Sequence, residues 1–276
     1  MDENGVLHKE IRFLRYPGGK SKLLSFLVNY LPKRGDIKGK YVEPFIGGGS
    51  VYMHVKPKKA LIADLNNELI DLYKTIRNYP HKVWEIYCSF PSGKRGYYKI
   101  RDTYSENKPI YYRAARTLYL NRTCFKGMWR HNMQGDFNVG YGGEERRWVI
   151  SHENIVELSK LFKKAKIESH DFKKTLGSIS NGDFIFLDPP YKPGKKEMDH
   201  AHYINGKFTF EEQKRLALQL KEISKKKKVK WIMTNSSHPS IRRLYTGFKI
   251  RKIPKGTSNV VGVFSANSNE ILISNY

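Results

Sequence analysis

A short aspartate-proline motif constrains this chain more than any other feature. Residues 183–187 have the apolar and aromatic composition of a strand buried in a parallel sheet, and Asp-Pro-Pro-Tyr follows at residues 188–191. Because proline lacks a backbone donor and fixes φ, two prolines in succession end the strand in a stiff turn. Ligands bind at the carboxyl ends of strands in an open α/β sheet, so the motif predicts either a ligand site or an ordinary turn.

The charge of the chain favours a polyanionic partner. Its 276 residues include 51 Lys and Arg against 26 Asp and Glu, which gives a net charge of +25. Nucleic acid is the commonest polyanion that such a surface binds, and self-solvation by lysine is the alternative. Cys88 and Cys124 are too few for a disulfide framework or a zinc cluster, which predicts a reducing, cytoplasmic location. No signal segment or run of 18 apolar residues is present, so we expect no membrane association.

The first half of the chain begins a strand and helix alternation. A strand is predicted at residues 41–45, a glycine-rich loop at 46–50, a helix beginning near Val51, a second strand at 60–63 and a helix at 66–79. Three successive glycines permit tight turns and close approach of a ligand, but their spacing is not that of a dinucleotide loop. Asp64 ends the second strand, where it either accepts hydrogen bonds from ribose hydroxyls or caps the next helix.

The pattern changes between residues 77 and 160. Strand-like runs disappear there, and tyrosine, phenylalanine, arginine and lysine crowd together. We interpret this stretch as an inserted second domain, in which residues 125–141 form a hairpin that turns near 134–136. Arginine and aromatic side chains read or stack on bases, although most aromatics at helical spacing belong to a core.

The alternation resumes after this stretch and completes a doubly wound sheet of seven strands. A run of four lysines at residues 225–228 is interpreted as a solvated loop. The remaining helices are predicted at residues 21–31, 153–164 and 210–224, and the remaining strands at 165–169, 183–187, 229–233, 248–253 and 270–274.

Together these motifs resemble a known enzyme family. A Phe-x-Gly-x-Gly loop (Phe45, Gly47, Gly49) followed by Asp-Pro-Pro-aromatic resembles the amino-methyltransferases that use S-adenosylmethionine. The chain is most similar to the Dam-type DNA adenine-N6 methyltransferases, in the alpha order of cofactor loop, recognition domain and catalytic motif. The matching blocks are residues 15–20, 43–50, 63–66, 121–139, 188–191, 208–209, 234–236 and 270–272.

The resemblance implies a fold with two parts. It implies an α/β, Rossmann-like seven-stranded methyltransferase sheet formed by residues 1–76 and 161–276, which binds S-adenosylmethionine. Residues 77–160 are then an inserted, mostly helical DNA-recognition domain that carries a β-hairpin.

The resemblance also implies the site residues. Catalysis falls to Asp188 and Pro189, whose carboxylate and carbonyl accept hydrogen bonds from the adenine amine, and to Tyr191, which stacks on the base. The expected S-adenosylmethionine-binding residues are Tyr16, Lys20, Phe45, Gly47, Gly49, Asp64, Asp171, Phe172 and Asp188. No metal is expected.

Double-stranded DNA is the implied partner, and its target adenine must be flipped out to reach the site. GATC is the expected recognition sequence. Two positions depart from the family, since Lys126 stands where GATC enzymes commonly carry Asn and Gly140 where Pro usually follows Asn-Val. The expected DNA-binding residues are Arg15, Arg122, Phe125, Lys126, Met128, Arg130 and Asn138.

The sequence therefore predicts a site-specific, adenine-specific DNA methyltransferase of a bacterial or phage-infected cell. We expect a monomer in solution, with one or two copies on a DNA site and a restriction-modification context left open. The alternatives are an RNA or protein amino-methyltransferase, which more often carries Asn at the first motif position, and an inactive DNA-binding relative. Asp188 and Tyr191 disfavour the second alternative.

Overall fold

The chain packs into two compact units. In this computed structural model, residues 11–16, 19–33, 35–103, 106–191, 208–254 and 269–276 are described. Unit 1 comprises Met1–Ser21, Gly48–Lys56 and Asp71–Phe162, and unit 2 comprises Lys22–Gly47, Pro57–Ile70 and Lys163–Tyr276. The predicted insertion at residues 77–160 lies within unit 1, and its role in DNA recognition stays a prediction.

Unit 2 contains the predicted sheet of seven strands. Their order is β3-β2-β1-β4-β5-β7-β6, and only β7 runs antiparallel to its neighbours. The mixed α/β fold with a mostly parallel, Rossmann-like sheet is therefore confirmed. The strands are β1 (Tyr41–Glu43), β2 (Ala60–Asp64), β3 (Ala165–Ser169), β4 (Phe184–Leu187), β5 (Lys230–Ser236), β6 (Lys249–Lys252) and β7 (Glu270–Ser274).

The strand order creates a switch point between β1 and β4. The chain moves outward from β1 through β2 to β3, then returns to place β4 on the other side of β1. The register sets Tyr41 opposite Phe184 and Val42 opposite Ile185, and all four side chains are buried. At such a point the connections leave the two central strands in opposite directions and open a crevice at their carboxyl ends.

The predicted helices are present between the strands, but the short helices Phe172–Gly177 and Pro239–Leu244 were not predicted. The helix predicted at residues 210–224 extends to Lys226, so the first two lysines of the predicted loop are helical. The expected helix at residues 21–31 is reduced to a 3₁₀ turn (Lys20–Leu23) and four α-helical residues, and no side chain caps its start. The helices are α1 (Leu24–Leu27), α2 (Ser50–Val55), α3 (Asn67–Asn78), α4 (Pro80–Ser89), α5 (Gly93–Arg101), α6 (Ile110–Thr123), α7 (His152–Phe162), α8 (Phe172–Gly177), α9 (Phe210–Lys226) and α10 (Pro239–Leu244). Within the described ranges, no helix is long and apolar enough to cross a membrane.

The core of unit 2 covers one face of its sheet. Helices α8, α9 and α10 contribute apolar side chains such as Leu176, Leu220 and Ile241. These pack against Val42, Ile185 and other strand residues. Burying such side chains supplies the main driving force that holds the strand ends in register.

Unit 1 is mostly helical and includes α4 to α7. Its buried Tyr87, Tyr97 and Tyr119 belong to the helical core, as most aromatics at helical spacing do. The segment predicted as a hairpin does turn back on itself, with antiparallel bridges between Cys124 and Tyr141 and between His131 and Phe137. These are isolated bridges rather than two continuous strands, so the segment is an irregular hairpin.

Candidate active site

Asp188 lies at the switch point, directly after the buried strand β4. The register of β4 and β5 sets Leu187 opposite Met233, so the next residues on each strand, Asp188 and Thr234, also meet. The Thr234 hydroxyl donates a hydrogen bond of 2.6 Å to Asp188 Oδ1. Thr234 is itself fully buried, so it fixes the direction of the carboxylate.

The proline turn after Asp188 is held in place by two successive hydrogen bonds of buried side-chain amides. Gln213 of α9 donates to the Pro190 carbonyl at 2.8 Å, and Asn235 of β5 donates to the Gln213 side-chain oxygen at 3.1 Å. Both amide side chains are fully buried. An interior amide is costly unless it is satisfied, so these hydrogen bonds hold the turn in one geometry.

Tyr191 follows the turn, and its hydroxyl points back toward the carboxylate. The side chains of Thr234 and Asp188 interact with that hydroxyl. Burial raises the pKa of Tyr191 well above its ordinary value, and the charges of Asp188 and Glu270 raise it further. The phenol is therefore a stable hydrogen-bond donor at neutral pH.

The glycine loop after β1 is tied to the end of β2. The Ile46 N–H donates to the Ala63 carbonyl, and the Gly47 N–H donates to Asp64 Oδ2, both at 2.9 Å. Gly47 has a φ of 44°, a conformation that glycine adopts without strain. The loop is thus held close to the strand edge with no side chain at its bend.

Asp64 binds two backbone segments rather than capping the next helix. Its second oxygen accepts from the Asn66 N–H at 3.0 Å, while Asn66 itself caps α3 by accepting from the Leu69 N–H. Burial raises the pKa of Asp64, although backbone donors from Asn66, Gly47 and Leu65 pull it down. Each carboxylate oxygen has two lone pairs, so acceptor capacity remains for hydroxyl donors.

Three phenylalanines lie together beside this edge. The ring of Phe45 is 5.4 Å from that of Phe172 and 5.7 Å from that of Phe208. The Arg215 guanidinium covers Phe172 at 4.4 Å from its centroid and donates to Asp171 at 2.7 Å. Asp171 also caps α8 through the Lys173 N–H.

The other three expected cofactor residues belong to unit 1. Tyr16 is half-buried, and a Cβ added at Gly48 would lie 2.9 Å from the Tyr16 Cβ, so only glycine fits there. Gly49 has a φ of 70° immediately before α2. Lys20 is buried. Their roles in binding a cofactor stay predictions.

Two of the expected DNA-binding arginines are bound into the fold of unit 1. Arg122 is only 2% exposed, and its guanidinium donates to the backbone carbonyls of Arg146 and Arg12. Arg15 donates to the Cys124 carbonyl at 3.0 Å. Its backbone N–H and carbonyl both pair with the side-chain amide of Asn121. Because a buried guanidinium cannot reach solvent, we assign Arg122 a structural role in place of direct phosphate contact.

The remaining expected DNA-binding residues lie on or beside the irregular hairpin. Phe125 is 49% exposed, and the Lys126 ammonium lies 5.1 Å from the centroid of its ring. Lys126 has a φ of 53°, which is uncommon for any residue except glycine and is better tolerated by Asn. Arg130 is exposed and donates to Asn138 Oδ1 at 2.8 Å, while Met128 is half-buried.

Three residues at these sites were not singled out individually from the sequence. Gln213 and Arg215 lie on α9, where they contact the Asp-Pro-Pro turn and Asp171 respectively. Nothing in the sequence of this helix indicated either contact. Met133, at the hairpin tip, is 99% exposed. Its position beside the turn residues at 134–136 was a usable signal, because the tip of a hairpin lies at the surface.

The described residues contain no group of three or more His, Cys, Asp or Glu side chains arranged to hold a metal ion. What they do contain is a glycine loop, an oriented carboxylate and a rigid proline turn at one sheet edge. Residues of this kind can bind an aromatic ligand and can orient a polar reacting group by hydrogen bonds.

The fold is that of a Rossmann-like methyltransferase, and the family match narrows the class to the adenine-specific DNA methyltransferases. The family described as D12 class N6 adenine-specific DNA methyltransferase matches residues 16–258, and the chain belongs to that family. The predicted resemblance to Dam-type enzymes is thereby confirmed.

Among its relatives, type II methyltransferase M.MjaIII of Methanocaldococcus jannaschii is 33% identical, with 96% of this chain and 98% of that protein aligned. Type II methyltransferase M1.LlaDCHI of Lactococcus lactis is 32% identical over 96% and 95% of the two chains. The DNA adenine methylase of Escherichia coli is 28% identical over 76% of each.

Proposed function

We propose that this enzyme transfers a methyl group from S-adenosylmethionine to N6 of an adenine flipped out of double-stranded DNA. The observation that supports this most is the Asp188 carboxylate, oriented by Thr234 on a locked proline turn. It lies after β4, next in the sheet to the strand that ends in the glycine loop.

The residues of unit 2 fit the methyl donor. The Asp64 carboxylate keeps acceptor capacity for ribose hydroxyls, and Gly47 leaves backbone accessible beside it. Phe45 is partly exposed and offers a ring for an adenine, while Phe172 packs against it from the core and Asp171 lies next to Phe172. When bound, the donor supplies a methyl group on a positively charged sulfur.

The turn residues would activate the amine. The lone pair of an exocyclic adenine amine is delocalised into the ring, which makes it a poor nucleophile. Two acceptors, the Asp188 carboxylate and the Pro189 carbonyl, would hold its N–H groups and favour a tetrahedral nitrogen whose lone pair is free to attack. Positioning and electrostatics account for most of the rate in such a displacement.

The target must leave the base stack to reach this turn. Extrusion of the base costs a few kcal/mol, which stacking on Tyr191 would offset in part. We propose that Arg15, Phe125, Lys126, Met128, Arg130 and Asn138 contact the DNA, and that Tyr16, Lys20 and Gly49 contact the donor.

We further propose GATC as the recognition sequence and one protein copy in solution. GATC follows from the resemblance, and Lys126 is the position that most challenges it. An ammonium at a place where an amide is expected changes which base edges it can contact. The site itself is a palindrome, on which one or two copies would act.

The experiment incubates the purified protein with S-adenosylmethionine and bacterial DNA lacking adenine methylation, and maps N6-methyladenine base by base. Methylation at one short motif supports the proposal and gives the specificity, GATC or another. If no methyladenine forms, RNA becomes the next substrate to test and the binding-only alternative follows.

The Asp188→Ala variant is the matched control. We expect it to lose methyl transfer while its circular dichroism and thermal unfolding stay close to those of the wild type, because Asp188 lies in a turn. A variant that unfolds, or one that stays active, would contradict the catalytic role of Asp188.

A further inference from the structure

The amino-terminal edge of the sheet in unit 2 is lined with lysines. This edge holds the starts of the parallel strands and so lies opposite the edge that carries Asp188. Exposed lysines stand at or within two residues of the starts of β2, β3, β5 and β6. Apart from Lys166, which pairs with Glu168 at 3.0 Å, they are Lys58, Lys59, Lys163, Lys164, Lys228, Lys230 and Lys249, which we call the lysine edge.

Little negative charge on the described residues offsets the lysine edge. At the start of β4, Asp183 is buried and binds Lys40 at 2.6 Å, so that pair neutralises itself.

The opposite edge has the reverse charge. Within two residues of the carboxyl ends of the parallel strands, or of the start of β7, lie the carboxylates Glu43, Asp64, Glu168, Asp171, Asp188 and Glu270. Among the described residues, the lysine and arginine found there are Lys252 and Arg251. A chain that used lysine only to stay soluble would scatter it over both edges, so the separation itself calls for a binding partner.

The dimensions of the lysine edge suit duplex DNA. Seven strands separated by about 4.8 Å span about 29 Å from β3 to β6. Duplex DNA carries one phosphate per about 1.7 Å of axis, so a stretch of this length carries about 17 phosphates, and those on one side of the duplex can face the lysine edge. Lysine heads on flexible stems reach such a backbone without reading its sequence.

We propose that the lysine edge binds the phosphate backbone of a second DNA segment, while the opposite edge serves the target adenine. The enzyme then bridges two duplex segments through one chain. This second contact is independent of sequence and weakens as salt rises, because each phosphate contact releases counterions.

The test measures bridging of two duplexes. A 30-bp duplex fixed to beads and a labelled 30-bp duplex free in solution are mixed with the protein at about 50 mM salt, where phosphate contacts are strong. The captured label is compared for the wild type and the triple variant Lys58→Gln, Lys164→Gln and Lys228→Gln. The matched control, Lys173→Gln, Lys214→Gln and Lys221→Gln, removes the same charge from α8 and α9.

We expect the wild type and the control to capture the label and the edge variant to capture at least tenfold less. The edge variant should still bind the fixed duplex, measured by protein retained on the beads. Bridging by the edge variant at the wild-type level would overturn the proposal. An equal loss of captured label with the control variant would also overturn it, because any three lysines would then have the same effect. Failure of the edge variant to stay on the beads would overturn it as well, because the edge lysines would then be needed for binding of the first duplex. No methyl donor is present, so the result is independent of methyl transfer.

Discussion

At the scale of single residues, the Asp188 carboxylate depends on the hydroxyl that orients it. Thr234→Val removes that donor in a fully buried position while keeping the shape of the side chain. A hydrogen bond to a charged group contributes about 1.5 to 3 kcal/mol, so we expect kcat to fall by about 10- to 100-fold. Steady-state methylation assays measure this.

Thr234→Ser separates the hydroxyl from the packing. It keeps the donor and loses one methyl group, so its kcat should stay closer to the wild type. A Ser variant as slow as the Val variant would show that packing, rather than the hydrogen bond, is what matters at this position.

Tyr191 offers a second prediction at this scale. Because burial, Asp188 and Glu270 hold the pKa of its hydroxyl well above the ordinary value, the phenol stays protonated to beyond about pH 10. Tyr191→Phe keeps the ring but loses the donor, whereas Tyr191→Ala loses both. We expect a modest loss of kcat in the Phe variant and a much larger one in the Ala variant.

The pH profile of kcat checks the assignment. If the hydroxyl does not ionise in the working range, wild type and Tyr191→Phe have the same alkaline limb. A limb that disappears in the Phe variant would mean that Tyr191 titrates during catalysis.

At the scale of elements, the end of α6 is fixed by Arg122. Its guanidinium joins the carbonyls of Arg12 and Arg146, two segments distant in sequence. Burial lowers the pKa of Arg122 to about 10, so it is charged at neutral pH. Arg122→Ala removes a buried side chain and leaves both carbonyls without this donor, and we expect it to lower the free energy of unfolding by about 2–4 kcal/mol.

Arg130→Ala is the matched comparison, since Arg130 is exposed on the hairpin. It should leave the urea midpoint nearly unchanged while weakening DNA binding. Equal stability of both variants would restore Arg122 as a candidate for direct DNA contact.

The sequence predicted the elements better than it predicted their contacts. Buried strands such as β2 and β4 were found because their apolar runs have the right length between turn residues. Helix α1 was overestimated, since periodicity shows an apolar face but not where an uncapped helix stops. The hydrogen bonds that join Gln213 to Pro190 and to Asn235 were not predicted. These residues are 22 or more positions apart, and only the folded sheet brings Gln213 to its partners.

At the scale of the whole molecule, the net charge is the property that follows most directly from the sequence. The net charge of +25 predicts that DNA affinity falls steeply with salt. With 6 to 10 phosphate contacts, the loss between 50 and 200 mM salt is about 10³- to 10⁵-fold. We therefore expect KM for DNA to rise steeply over this range.

The chemical step should respond differently. In the proposed mechanism this step depends on Asp188 and its hydrogen-bonded neighbours, which are partly buried and so are screened little by salt. We expect kcat at saturating DNA to change less than threefold while KM rises. Methylation kinetics at four or five salt concentrations separate the two constants. A KM that does not change with salt would contradict the electrostatic interpretation, and a kcat that falls in parallel with affinity would move the salt-sensitive contacts into the catalytic step.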